Sequence, residues 1–77
     1  MIPIPACSVV TTPVDGRLHR VAPTGSRVRR GDVVATIASS RGARELVAAT
    51  AGEVGGSLVD LTQGVAAGEP VVWLSRA

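Results

Sequence analysis

Two blocks of this 77-residue sequence occur twice. The stretch Val10-Thr11-Thr12-Pro13-Val14-Asp15-Gly16-Arg17-Leu18 aligns with Leu46-Val47-Ala48-Ala49-Thr50-Ala51-Gly52-Glu53-Val54 at an offset of 36. Further on, Val28-Arg29-Arg30-Gly31-Asp32-Val33-Val34 aligns with Val65-Ala66-Ala67-Gly68-Glu69-Pro70-Val71 at an offset of 37. Each half is too small to bury an apolar face alone, so the two are expected to interleave into one pseudo-two-fold structure.

That structure should be all-β. Val9-Val10, Val33-Val34-Ala35-Thr36-Ile37, Glu45-Leu46-Val47-Ala48 and Val71-Val72-Trp73-Leu74 are short, β-branched runs that read as strands. Gly16, Gly25, Gly31, Gly42, Gly52, Gly64 and Gly68 fall between them, where turns need positive φ. No stretch reads as a helix. Trp73, the one aromatic residue, is expected to anchor the core. The lone Cys7 is expected to act as a small apolar filler at the first strand, and it excludes an internal disulfide.

Composition narrows the function. One Trp and no Phe or Tyr leave little surface for stacking bases, so nucleic-acid binding is a poor fit. No signal-like opening and no apolar run of bilayer length occur, which points to a cytoplasmic protein without a membrane partner. All eight basic residues are arginines. Arginine with Ala, Gly, Val and Pro, and no lysine, is the signature of GC-rich codons and points to a high-GC bacterium.

The halves, reading G-x-V/L and later V-x-x-G-D/E, resemble the biotinyl and lipoyl carrier domains, the swinging-arm modules of biotin-dependent carboxylases and 2-oxo acid dehydrogenases. The resemblance covers roughly residues 8 to 75. It implies a flattened β-barrel or sandwich of two small antiparallel sheets, with a short N-terminal extension (1–7) and one carrier-like domain (8–76). In those families the modified lysine lies on a hairpin between the halves, within E-A/S-M-K-M or E-T/S-D-K-A. Here the hairpin is Ala38-Ser39-Ser40-Arg41-Gly42, and Arg41 occupies the lysine position. A guanidinium stays protonated and is no nucleophile for an acyl-adenylate. With no lysine in the sequence, attachment of biotin or lipoate to a lysine side chain is excluded, and no cofactor is expected.

Two readings of Arg41 remain open: a solvated loop arginine, or a fixed charge offered to a partner. Charge is lopsided. Residues 1–44 hold seven arginines and two aspartates, while 45–77 hold one arginine and four carboxylates. Arg27, Arg29 and Arg30 flank one turn and would either steer an acidic partner or blunt a sheet edge. The candidate partner-binding residues are therefore Ser39, Ser40, Arg41 and Gly42 with Arg27, Arg29 and Arg30. No catalytic or metal-binding residue is assigned. His19 should face outward beside inward Leu18, with only Asp15 as a local carboxylate. His19 and Cys7 are too few ligands for a metal. Gly56-Ser57-Leu58 superficially matches a phosphopantetheine attachment site, but in a glycine-rich β context.

Three functions compete. The first is a stand-alone, unmodified interaction subunit, not itself an enzyme. It would dock on an acyltransferase resembling the 2-oxo acid dehydrogenase component, or on an acyl carrier protein, in a bacterial natural-product pathway. The second is a degenerate biotin carboxyl carrier-like subunit of a carboxylase. The third is a small enzyme or ligand binder using His19, Asp15, Arg41 and Cys7, whose spacing matches no known constellation.

Overall fold

A computed structural model of the chain describes residues 7–75. The expected extension, apart from the Cys7 backbone, lies outside the described residues, as do residues 76–77 and the filler role expected of the Cys7 side chain. Eight strands follow in chain order: β1 (Cys7–Thr11), β2 (Gly16–Val21), β3 (Arg27–Val28), β4 (Val33–Ser39), β5 (Gly42–Val47), β6 (Gly52–Ser57), β7 (Gly64–Val65) and β8 (Pro70–Ser75). They form two antiparallel four-stranded sheets, ordered β1-β8-β6-β3 and β5-β4-β2-β7. The all-β architecture expected from the repeat and the resemblance is the one found.

Adding four to each strand number turns one sheet order into the other. Each sheet thus takes two strands from each half, which is the interleaving that the repeat demanded. The correspondence extends to register. The irregularity between Leu18 and Arg20 in β2 recurs between Val54 and Gly56 in β6. It also governs the core: Leu18 corresponds to Val54, Val28 to Val65, Val34 to Val71, Ile37 to Leu74 and Val10 to Leu46, all buried. Ala48 corresponds to Thr12, a fully buried polar residue whose hydroxyl donates to the Val14 carbonyl at 2.7 Å and so carries no unmet hydrogen bond.

The V-x-x-G-D/E signature has a structural task. Gly31 and Gly68 both adopt φ 91°, a conformation open to glycine. The carboxylate that follows each one folds back on its own turn. Asp32 Oδ2 accepts from the Arg29 amide at 2.7 Å, and Glu69 Oε1 accepts from the Ala66 amide at 3.1 Å. Each turn is tied to the neighbouring half, since Gly31 N–H donates to the Ala48 carbonyl and Gly68 N–H to the Thr12 carbonyl.

Two expectations are corrected. Gly16, Gly52 and Gly64 open strands instead of shaping turns. At Gly16 the reason is room, because a Cβ there would meet the Ala38 carbonyl and lie 2.6 Å from Ile37 Cγ2. Trp73 is not a core anchor: it stands on the outer face of its sheet, 37% exposed, between buried Val72 and Leu74.

Candidate functional site

The β4–β5 hairpin is closed by Ser39 opposite Gly42, with Ser40 and Arg41 as the two turn residues. Ser39 Oγ donates to the Gly42 carbonyl at 2.8 Å and accepts from the Arg41 amide at 3.3 Å. One serine therefore fixes the turn, and Gly42 completes it at φ 108°. Ser40, Arg41 and Gly42 are exposed, so Arg41 stands in solvent at the tip of the hairpin.

Two loops stand beside this tip. Asp15 Oδ1 accepts from the Ala67 amide at 2.7 Å, which locks the β1–β2 turn to the β7–β8 turn. An open groove runs between the hairpin and these turns, lined by Asp15 from the turns and by Arg41 and Arg44 from the hairpin. On the other side of the hairpin a second groove includes Arg17, Ser40 and Glu69. Arg17 sits across from Ala38 and donates to the Thr62 carbonyl at 3.1 Å. The hairpin end thus gathers Arg17, Arg41 and Arg44. Arg17 and Arg44 were not among the expected site residues. The signal that finds them is topological: β2 and β5 are the two neighbours of β4.

Arg27, Arg29 and Arg30 lie elsewhere. Arg27 opens β3, the far edge of the other sheet, opposite Glu53. Arg29 and Arg30 sit in the turn held by Asp32. That turn adjoins the Val33–Val47 end of the β4–β5 pair, whereas the hairpin is at the Ser39–Gly42 end. Six residue steps at about 3.3 Å separate the ends by roughly 20 Å. The two expected groups of partner-binding residues are therefore two distinct surfaces.

His19 is exposed at the irregularity in β2, outside Leu18 as expected. Among the described residues no three His, Cys, Asp or Glu side chains gather into a metal-binding group. Nor is any helix there long and apolar enough to cross a membrane.

No protein-family model matches the chain, and no curated protein matches it in sequence. Solved structures do match it in fold. All of the chain superposes on 8% of a single-chain, multi-domain long-chain acyl-CoA carboxylase, with a TM-score of 0.85 and 22% identity. It superposes over 96% of its length on 6% of the Kluyveromyces lactis urea carboxylase, with a TM-score of 0.83 and 25% identity. A truncated AcrA from Campylobacter jejuni matches 90% of the chain over 86% of its own length, with a TM-score of 0.75 and 16% identity. The chain thus spans less than a tenth of either carboxylase. The shared feature is the small β domain, and these neighbours agree with the biotinyl/lipoyl resemblance.

Proposed function

We propose that this chain is an unmodified carrier-fold module that acts by docking on a catalytic partner and performs no reaction itself. The observation that carries this reading is the hairpin tip. The resemblance sets a carrier's arm on this turn, and here the turn is exposed and carries Arg41, with Arg44 lining the same groove. A fixed cationic tip cannot be acylated by a ligase, yet it suits an acidic surface. Among the described residues, the core residues paired across the pseudo-two-fold fill the interior, which argues against a buried ligand site.

The partner in this reading is an acyltransferase subunit resembling the 2-oxo acid dehydrogenase component, or an acyl carrier protein, in a bacterial natural-product pathway. A second reading, a degenerate biotin carboxyl carrier-like subunit of a carboxylase, draws on the two carboxylase likenesses. The tagged chain, recovered from its host at low and high salt, separates them by the co-purifying subunit identified by mass spectrometry. An acyltransferase or carrier protein lost at high salt supports the first reading. Carboxylase subunits support the second. Recovery of the chain alone at both salts overturns docking.

A further inference from the structure

The two sheets are equivalent in backbone but opposite in surface chemistry. Their long edge strands, β1 and β5, occupy corresponding places in the sheet orders. An edge strand offers unpaired amides and carbonyls, and proteins usually blunt it with charge. β5 follows that rule, carrying exposed Arg44 and Glu45 at its centre. β1 does not: Ser8, Val9, Val10 and Thr11 hold no charge, no proline and no glycine, and Val9 is 57% exposed. No strand covers the outer edge of β1 among the described residues.

The outer faces differ in the same sense. Across one sheet run Val9, Trp73 and Gly56, with Gly55 beneath the Trp73 ring. At the equivalent places across the other run Glu45, Thr36 and Arg20, with His19 beside them. An apolar strip thus reaches an edge that no described strand covers, whereas its counterpart carries Glu45 and Arg20 on either side of neutral Thr36.

We propose that β1 is a self-association edge, pairing antiparallel with β1 of a second copy of this chain about a two-fold axis through Val9. Directly opposed residues of an antiparallel pair share a face, so pairing about such an axis sets like against like. On β1 that juxtaposes Val9 with Val9 and joins the two Trp73 strips into one apolar surface. Centred on Glu45 of β5, the same operation opposes two carboxylates, a destabilising pair. Neither β1 nor β8 carries a charged residue between Cys7 and Thr11 or between Pro70 and Ser75, so the net charge of +2 finds no repulsive pair at this seam. A five-residue seam is about 17 Å long. Its total buried area stays below about 1,200 Å², which sets the association among the small, weak interfaces.

The test is sedimentation equilibrium of the full chain from about 10 µM to about 1 mM, concentrations at which weak association populates a dimer. The weight-average mass should climb from one copy toward two, with a concentration-dependent change in Trp73 fluorescence. Val9→Lys should hold the mass at one copy throughout, with an unchanged circular dichroism spectrum. Glu45→Lys, at the equivalent place on β5, should associate like the parent. A parent chain that stays single at the highest concentration overturns self-pairing and returns the edge to a strand of some other polypeptide. Association that Val9→Lys leaves intact overturns it equally, since another surface must then be responsible.

Discussion

The six-membered ring of Trp73 fills the space into which a Cβ at Gly55 would project. The ring therefore rests on bare backbone, which lets a large aromatic lie down on an outer sheet face instead of standing into solvent. Gly55 has no positive φ to relieve, so its role is steric. Gly55→Ala should push the ring off the sheet, red-shift its fluorescence and lower stability by about 1–3 kcal/mol. In a Trp73→Val background the same change should have little effect. Urea unfolding of the four proteins reads this coupling directly.

Thr62 holds φ 68°, the one described non-glycine residue at positive φ, and its counterpart in the first half is Gly25 at φ 90°. The two make the same contact, since Gly25 N–H donates to the Val54 carbonyl and Thr62 N–H to the Leu18 carbonyl. A β-branched residue in the left-handed region is strained by about 1–2 kcal/mol. Thr62→Gly should therefore be neutral or stabilising by up to about 1 kcal/mol, after the greater chain entropy of the unfolded glycine is counted. Gly25→Thr should lower stability by about 1–2 kcal/mol. Denaturation midpoints of the pair provide the check.

The repeat made the topology legible before any strand was certain, because two interdependent halves must interleave. The strands β1, β4 and β8 were legible for the same reason that they form, since β-branched runs pack on a pleated surface, and β5 was legible through its Leu46-Val47 end. β2 and β6 were not, since Gly-Arg-Leu-His-Arg-Val and Gly-Glu-Val-Gly-Gly-Ser each bury little more than Leu18 or Val54. Their pairing comes from the sheet, and their local sequence does not announce it. Trp73 was misplaced because size was weighed above alternation, although Val72 and Leu74 on either side already assign it outward. In the candidate site, the hairpin and its arginine were legible by counting. Its separation from Arg27, Arg29 and Arg30 was not, because sequence proximity hides which end of a strand pair a turn occupies.

Asp32 and Glu69 each hold a backbone amide three residues back in a turn closed by a left-handed glycine. Both turns are exposed, so each bond contributes on the order of 1 kcal/mol. Asp32→Ala should lose about that much, and Asp32→Asn, which keeps an acceptor oxygen, should recover most of it. The two turns belong to different halves and share no partner, so Asp32→Ala and Glu69→Ala should add within about 0.5 kcal/mol. Thermal unfolding of the single and double variants measures the sum.

Arg41→Lys puts a primary amine at the hairpin tip, where residue 41 is exposed. The turn around it is nevertheless built differently from the carrier motif. Gly42 at φ 108° stands where that motif has Met or Ala, and Ser39 ties the strand ends through its hydroxyl. A lysine there leaves a glycine-shaped turn with no acidic or methionine flank for a ligase to read. Arg41→Lys should therefore remain unmodified when incubated with a biotin ligase or a lipoate ligase and ATP, as intact mass spectrometry would show. Addition of biotin or lipoate to that single variant would mean that the turn geometry is compatible with the ligases and that Arg41 alone bars modification. The absence of any adduct would place the barrier in the hairpin as a whole, as expected of a tip shaped for a contact rather than for an arm.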